Sequence, residues 1–214
     1  YQEYALKFPQ YKQTNEKLVE ISNIKPNQVI VDLACGTGLT TKEVLKNYPN
    51  VRKIYAVDFS EDMINVAKEF VQSRKVAFIV ASAEDIDKFI SEKVDVVLCN
   101  SAFWQFQNQN KVLKKIYSIL KDNGRFIFNL NQQFFDFGNA EPNQKLIIDT
   151  IFSEMKGRGY EFSNKLKPKI NKEKIEELFN QAGFSFYKTE MINIGPRSLE
   201  DSFNFFKIPA TIFL

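Results

Sequence analysis

The stretch VIVDLACGTGLTT, at Val29–Thr41, decides the fold of this chain. Its first part, Val29–Ala34, is a short run rich in β-branched residues and predicts a buried strand. Gly36 and Gly38 then allow a tight turn in which the backbone can approach a ligand closely. Leu39–Asn47 reads as the helix that follows. A strand, a glycine loop and a helix in this order predict a ligand site at the start of the helix.

The same alternation of strand and helix continues toward the C-terminus. A chain of 214 residues fits one α/β domain with a sizeable core. The pattern predicts a Rossmann-like, mainly parallel sheet with helices on both faces. Ser60 and Asn171 are predicted N-caps, and Gly183 is predicted to end the last of these helices. The further predicted strands are Lys53–Val57, Val76–Ala81, Val94–Cys99 and Arg125–Leu130, with a turn at Lys121–Gly124.

The regular alternation stops after Leu130. Residues 131–169 read as an insertion that forms a helical and aromatic cap over the sheet, and residues 1–25 as a second cap element. A strand is predicted at Phe184–Ile194. The whole of 1–214 is therefore expected to be one domain, and its apolar end suggests that the native chain continues past Leu214. Aromatic residues make up 14% of the chain. Those expected to line an apolar pocket lie in the predicted cap or near the C-terminus: Phe134, Phe135, Phe137, Phe152, Tyr160, Phe162, Phe203, Phe205 and Phe206.

Composition narrows the chemistry. The net charge of +3 is spread along the chain without a polybasic block, which does not favour a nucleic-acid or membrane partner. Cys35 and Cys99 lack the spacing of a disulfide framework or zinc site, so we expect two small buried residues, no metal and a cytoplasmic setting. No apolar run is long enough to span a bilayer. Histidine is absent, which removes the commonest general base.

Three side chains around the glycine loop bear on its ligand. Thr41 stands where a dinucleotide motif has its third glycine. Asp32, at the tip of the first strand, would oppose a pyrophosphate but suits a ligand that carries an ammonium and a sulfonium. Asp58 ends the second strand about 20 residues after the loop, the offset at which an acid binds ribose hydroxyls. Taken alone, the glycine loop leaves several nucleotide cofactors open.

Five ordered segments together resemble the class I S-adenosylmethionine (SAM)-dependent methyltransferases: VIVDLACGTGLTT, YAVDFSEDMINVAKE, VAFIVASAEDI, VDVVLCNSAFWQF and LKDNGRFIFNL, within Val29–Leu130. By that resemblance SAM is the cofactor. Its methionine end would contact Asp32, Ala34, Gly36, Gly38 and Asn100. Asp58 would bind the ribose, and the residues near adenine would be Phe59, Met63, Ser82, Ala83 and Glu84. The family usually has aspartate at the position of Ser82, and serine lacks the charge that strengthens a hydrogen bond to the adenine amino group.

The segment Asn100–Phe106 carries the information on substrate. It is similar to the corresponding segment of methyltransferases that act on small carboxylic acids, such as the trans-aconitate and malonyl-carrier enzymes, although Trp104 and Gln105 stand in reversed order. The chain as a whole resembles the small-molecule type of the family, which also includes ubiquinone-pathway enzymes. The resemblance implies Asn100, Phe103, Trp104 and Tyr11 as residues that position the acceptor. A carboxylate acceptor is favoured because it needs no base, which suits a chain without histidine.

Three alternatives remain open at this point. A nicotinamide (NAD)-dependent oxidoreductase would share the glycine loop, although Asp32 and Thr41 argue against it. A non-catalytic SAM-binding protein would keep the fold without methyl transfer. An RNA methyltransferase is disfavoured, because a net charge of +3 offers few basic groups for a phosphate backbone. The preferred substrate is a small molecule of partly apolar character. The oligomeric state cannot be predicted from the sequence.

Overall fold

A computed structural model describes residues 9–130, 135–136, 153, 157, 170–185 and 188. The strands are β1 (Val29–Leu33), β2 (Lys53–Asp58), β3 (Val76–Val80), β4 (Val94–Cys99), β5 (Leu120–Phe128), β6 (Phe135–Asp136) and β7 (Ile170–Asn171). The α-helices are α1 (Pro9–Ile21), α2 (Leu39–Asn47), α3 (Glu61–Phe70), α4 (Gln109–Ile119) and α5 (Lys172–Ala182), and short 3₁₀ helices occupy Ala83–Lys88 and Phe103–Gln105.

Five strands form one sheet in the order β3-β2-β1-β4-β5, and every neighbouring pair is parallel. The predicted Rossmann-like fold is confirmed. The chain moves outward from β1 to β3 and then returns to the other side of β1 with β4. The order therefore reverses between β1 and β4, and in such sheets ligands bind outside the carboxyl ends of the strands at that point.

Helices cover both faces of this sheet. Alternate residues of β1 explain the division, because successive side chains of a strand point to opposite faces. Val29, Val31 and Leu33 join a core with α4 and α5, whereas Ile30 joins a second core with α1 and α2. The inner strands β1, β2 and β4 are thus buried on both sides, as their largely apolar sequences predict, whereas the edge strands β3 and β5 are partly exposed.

The predicted helix caps are present. The hydroxyl of Ser60 accepts a hydrogen bond from the backbone N–H of Met63, and Asn171 caps α5 through the N–H of Lys174. Gly183 ends α5 with a φ of +98°, in the left-handed region that glycine enters without a steric penalty. Local sequence therefore determined both ends of α5.

The end of the sheet differs from the prediction. β5 already begins at Leu120, opposite Val94, and the register then shifts so that Arg125 pairs with Val96. The predicted turn at Lys121–Gly124 is thus an irregularity within one strand, and the strand ends at Phe128 rather than Leu130. The interruption arises because the residues between the two paired segments of β5 outnumber those of β4.

Most of the predicted cap lies outside the described residues, as do the predicted aromatic residues within it apart from the backbone of Phe135. The described residues on either side of this part of the chain are nevertheless adjacent, because Phe135 pairs with Ile170 and Asp136 pairs with Asn171. Of the strand predicted at Phe184–Ile194, residues 184 and 185 have no regular structure and most of the rest is not described. The single-domain organisation stays a prediction. No helix of the described part is long and apolar enough to cross a membrane.

Candidate functional site

The candidate residues gather at the carboxyl edge of the sheet. Asp32 lies near the end of β1, Asp58 ends β2, Ser82 follows β3, and Asn100 follows β4. Because the four strands are parallel and adjacent, their carboxyl ends meet at one edge. The order of the sheet places the ends of β1 and β4 side by side, with the ends of β2 and β3 beyond β1.

The loop after β1 has a left-handed backbone at alternate positions. Ala34, Gly36 and Gly38 have φ values of +57°, +52° and +85°. A non-glycine residue in this region costs roughly 1–2 kcal/mol, so Ala34 holds a strained conformation beside the loop. A Cβ on Gly38 would lie 2.8 Å from a methyl of Val71, whereas one on Gly36 would meet nothing within 4 Å. Gly38 is thus required by packing, and Gly36 leaves open space beside the backbone.

Asp32 is a buried carboxylate with one unused oxygen. Its side chain is on the α2 face, and the residue is 1% exposed. Oδ2 accepts a 2.5 Å hydrogen bond from the hydroxyl of Thr41, whereas Oδ1 has no partner among the described residues. Burial raises the pKa of Asp32 to about 7, against the lowering effect of the Thr41 hydrogen bonds and with a further rise from the charge of Asp58. A cationic group at Oδ1 would complete this site.

Asp58 connects the ends of β1 and β2. Its Oδ2 accepts from the backbone N–H of Gly36 at 2.8 Å, and its Oδ1 accepts from the N–H of Ser60 at 3.0 Å. The carboxylate therefore holds the glycine loop and the start of α3 in place. Each oxygen retains acceptor capacity beyond one hydrogen bond, so the group can also receive hydroxyls of a ligand.

An aromatic side chain stands exposed next to Asp58. Phe59 is 77% exposed, although a ring of this size usually buries most of its surface. Met63, in the first turn of α3, is half-buried. An exposed ring beside an acid that can bind ribose is placed to cover a flat nucleobase. This placement agrees with the predicted adenine side, which stays a prediction.

The segment after β3 is already engaged in local contacts. The hydroxyl of Ser82 accepts from the N–H of Glu84, which begins the 3₁₀ helix Ala83–Lys88. The carboxylate of Glu84 accepts from Nζ of Lys111 on α4 at 2.9 Å. Ala83 packs against the core. Because the carboxylate of Glu84 is already paired with Lys111, this segment would contact adenine through its backbone or through the side chain of Ser82.

A row of amide side chains crosses the site and was not predicted. Oδ1 of Asn15, on α1, accepts from Oγ1 of Thr40 at 2.6 Å and from Nδ2 of Asn100 at 2.7 Å. Oδ1 of Asn100 accepts from Nδ2 of Asn129 at 2.7 Å, and Oδ1 of Asn129 accepts from the backbone N–H of Ser101 at 2.5 Å. The row joins α1, α2, β4 and β5. Of its members, the sequence singled out Asn100 alone.

The two aromatic residues that follow β4, Phe103 and Trp104, differ in burial. Trp104 is half-buried, and its indole N–H donates to the carbonyl of Ser101 at 3.0 Å. Phe103 is 0% exposed and packs on Phe128 with ring centroids 4.5 Å apart. This packing does not support the prediction that Phe103 faces the acceptor, because its ring is part of the core. Tyr11 lies inside α1, and its side chain is outside the described residues.

Both cysteines are free and buried in the described structure. Burial raises the pKa of the Cys35 and Cys99 thiols well above the ordinary value, and the nearby charge of Asp32 adds to the rise. A thiol with a raised pKa is a poor nucleophile, which supports a packing role for both. Over the residues described, no group of three or more histidine, cysteine or acidic side chains could hold a metal ion.

These features fit SAM. Its ammonium suits the unused oxygen of buried Asp32, the open space at Gly36 admits a ligand against the backbone, and the exposed ring of Phe59 suits adenine. The carboxylate of Asp58 has room to accept ribose hydroxyls. A pyrophosphate would instead meet the negative charge of Asp58 and would offer no cation to the unused oxygen of Asp32.

Comparisons with known proteins show that this chain is similar to methyltransferases. Residues 31–128 match the family described as methyltransferase domain. Malonyl-[acyl-carrier protein] O-methyltransferase 2 of Coxiella burnetii is 31% identical over 136 residues, which are 63% of this chain and 54% of that protein. The ubiquinone/menaquinone biosynthesis C-methyltransferase of Hydrogenovibrio crunogenus is 25% identical over 192 residues, which are 82% of this chain and 72% of that protein.

A solved structure from Bacillus halodurans, described as a candidate methyltransferase, superimposes with a TM-score of 0.60 at 25% identity. The match covers 81% of this chain and 70% of that one. The chain spans about half the length, or less, of the malonyl-carrier methyltransferases that it matches.

Proposed function

We propose that the protein transfers a methyl group from SAM to a small or medium, partly apolar acceptor, with carboxylate oxygen as the favoured atom. The match of residues 31–128 to the methyltransferase domain family supports this proposal. The observation that carries the cofactor assignment is the carboxylate of Asp32, which is buried with one oxygen unused. The NAD-dependent alternative is set aside, because the matched family is one of methyltransferases.

The chemistry asked of the protein is modest. SAM supplies a methyl group on a sulfonium, and transfer to a carboxylate oxygen forms an O–CH₃ bond, leaves the S–CH₃ electron pair on sulfur and moves no proton. The residues of the chain must then hold the two reactants in line and keep water away. Asn100, Asn129 and the hydroxyl of Ser101 supply neutral polar groups at the ends of β4 and β5.

Neutrality at these strand ends supports a carboxylate acceptor. An acceptor anion beside Asn100 and Trp104 would meet amide and indole groups rather than a carboxylate base. A phenol or amine would require a base for its proton, and the chain contains no histidine. The O-methyltransferase relative adds to this preference, since its name specifies O-methylation of a malonyl group.

Carbon methylation is a second candidate. The C-methyltransferase relative aligns with a larger share of both chains than the O-methyltransferase relative does. For that reaction a carbon nucleophile has to be generated, and the described residues at the ends of β4 and β5 offer no ionised base near Asn100. The carboxylate therefore remains the first choice. We also propose a reducing, cytoplasmic setting, which the two buried free cysteines support.

The test begins with ligand binding and continues with label transfer. Calorimetry with S-adenosylhomocysteine (SAH), SAM and NAD should show binding of the first two alone; binding of NAD alone would overturn the cofactor assignment.

The protein is then incubated with methyl-labelled SAM and a panel of small carboxylic acids, each tested beside its amide, together with phenols and amines. Label that appears only with the acids and is released as methanol by mild base identifies a methyl ester. Base-stable label would instead indicate carbon or nitrogen methylation, and binding without transfer across the panel would favour a SAM-binding protein without this activity.

A further inference from the structure

The amide row defined above, Asn15–Asn100–Asn129, has a single possible hydrogen-bond polarity. The backbone N–H of Ser101 can only donate, so the group of Asn129 that faces it must be Oδ1. Nδ2 of Asn129 then faces Asn100, which must present Oδ1 to it. Nδ2 of Asn100 consequently points to Asn15, whose Oδ1 receives it. One backbone N–H thus sets the orientation of three side-chain amides.

Asn15 closes this row. It is 6% exposed, and its Oδ1 receives two donors, the hydroxyl of Thr40 and Nδ2 of Asn100. Thr40 is also buried. Asn100 is half-buried, and the other acceptor near its Nδ2 is Oγ1 of Thr40 at a longer distance of 3.4 Å. Loss of the Asn15 oxygen would remove the shorter of these two contacts and the acceptor of the buried Thr40 hydroxyl, so this oxygen stabilises the arrangement of Asn100.

The row lies in one half of the site. Asn100 follows β4, and Thr40 is in the first turn of α2, directly after the loop that follows β1. Asp58 belongs to β2, on the far side of β1 from β4. The Asn15 network therefore lies in the half of the crevice that includes the unused oxygen of Asp32. Among the described residues, the hydrogen bonds of the row do not extend to Asp58 in the half that suits the nucleoside.

We propose that Asn15 is a positioning residue, which holds the amide of Asn100 for recognition of the amino-acid end of SAM. The proposal rests on the proposed SAM function. It assigns to α1, which lies outside the matched family segment 31–128, a defined part in the cofactor site. The prediction is selective: loss of the Asn15 oxygen weakens ligands that carry the amino-acid end and spares ligands that consist of the nucleoside end alone.

The experiment compares two probes on the same variants. SAH carries the amino-acid end, and methylthioadenosine lacks it. We expect Asn15→Leu, which keeps the branched shape and the number of side-chain heavy atoms, to raise the Kd of SAH about tenfold and to change the Kd of methylthioadenosine less than about twofold. The matched control is Asn110→Leu. Asn110 is also a helix asparagine, and its Nδ2 donates to Oε1 of Gln181 between α4 and α5; both affinities should stay unchanged.

Each outcome is informative. An equal loss for the two probes, or an unchanged affinity for SAH, would overturn the role of Asn15, because a general packing defect does not distinguish the two ends of the ligand. If the wild-type protein binds neither probe, the proposed function fails and the failure is separate from that of Asn15. Should leucine prevent folding, Asn15→Ala removes the same oxygen without adding a branched side chain, and the ratio of the two affinities is again the readout.

Discussion

The hydroxyl of Thr41 donates a 2.5 Å hydrogen bond to Oδ2 of Asp32, while Oδ1 of that buried carboxylate has no partner among the residues described. In the sequence, Thr41 stands at the position where a dinucleotide-binding motif has its third glycine. In the structure it occupies one oxygen of the acid and leaves the other for a ligand. The threonine that replaces the third glycine of a dinucleotide motif therefore contributes to a site for a cation.

The first prediction concerns Asp58. Asp58→Ala removes the acceptor for two backbone N–H groups, at Gly36 and Ser60, as well as the acceptor proposed for the ribose. Hydrogen bonds to a charged group contribute about 1.5–3 kcal/mol each, so we expect the Kd of SAH to rise by roughly a hundredfold. Calorimetry measures the change. Asp58→Asn is the matched control, because its amide oxygen retains one acceptor, and its effect should be smaller. Wild-type affinity in Asp58→Ala would remove Asp58 from the ribose site.

Substitutions at the two glycines of the loop should affect different properties: Gly38 mainly the stability of the fold, and Gly36 mainly the binding of SAH. Gly38→Ala places a methyl 2.8 Å from the side chain of Val71 in a left-handed backbone, so its free energy of unfolding should fall by about 2–4 kcal/mol. Gly36→Ala meets nothing within 4 Å and should cost only about 1 kcal/mol of stability. Its methyl would occupy the open space, and the affinity for SAH should fall. Denaturant unfolding and calorimetry on both variants test the contrast; equal stability losses would contradict it.

The pKa of Asp32 predicts a pH dependence of binding. Burial raises this pKa to about 7, so near neutral pH much of the free protein carries a protonated Asp32. An ammonium at Oδ1 favours the ionised form, and binding of SAH should therefore release a proton. The affinity should increase as the pH rises toward 7, by at most about tenfold per unit, and then level off. Calorimetry in buffers of different ionisation enthalpy counts the released proton. A proton release that persists in Asp32→Asn would assign it to another group.

The same carboxyl group should affect the stability of the free protein. The pKa is near 3.8 in the unfolded chain and about 7 in the fold, so the native state binds the extra proton between these values. Its contribution to stability is complete below about pH 4 and is lost as the pH rises through 7. The shift corresponds to on the order of 4 kcal/mol. Chemical denaturation of the wild type and of Asp32→Asn from pH 4 to 8 should show this decline only in the wild type. Parallel curves would exclude Asp32 as the titrating group.

Short-range patterns account for what the sequence predicts well. The strand, glycine loop and helix at Val29–Asn47 form from neighbouring residues, and Ser60 caps α3 through a residue three positions away. The register shift in β5 was missed because it depends on the partner strand. Lys121–Gly124 has the composition of a turn, and only pairing of Leu120 with Val94 makes it part of a strand.

The amide row shows where sequence reasoning stops. Asn15 and Asn100 are 85 residues apart, and nothing local to α1 distinguishes Asn15 from a surface asparagine. Asn129 offered a usable signal, because it directly follows β5 just as Asn100 directly follows β4. A polar residue at the same position after a neighbouring parallel strand reaches the same edge of the sheet. Phe103 and Trp104 look equivalent in sequence, and only packing places one in the core.

The last prediction uses that difference between neighbours. Trp104 is half-buried after β4, with its indole N–H bound to the carbonyl of Ser101. Trp104→Ala should lower kcat/KM for the methyl acceptor found in the label screen by more than about tenfold, because positioning errors at the reacting end reduce the rate steeply. The Kd of SAH should change less than about twofold. A loss of SAH affinity with normal acceptor turnover would move Trp104 to the cofactor side.

Phe103→Leu is the control for this prediction. Its ring is fully buried against Phe128, so shortening it should lower the free energy of unfolding by about 1–3 kcal/mol. Acceptor turnover per folded molecule should stay near that of the wild type. The two adjacent substitutions then give opposite patterns, one in turnover and the other in stability. If both variants lose turnover to the same extent, the core packing beneath the segment, rather than the indole, governs the position of the acceptor.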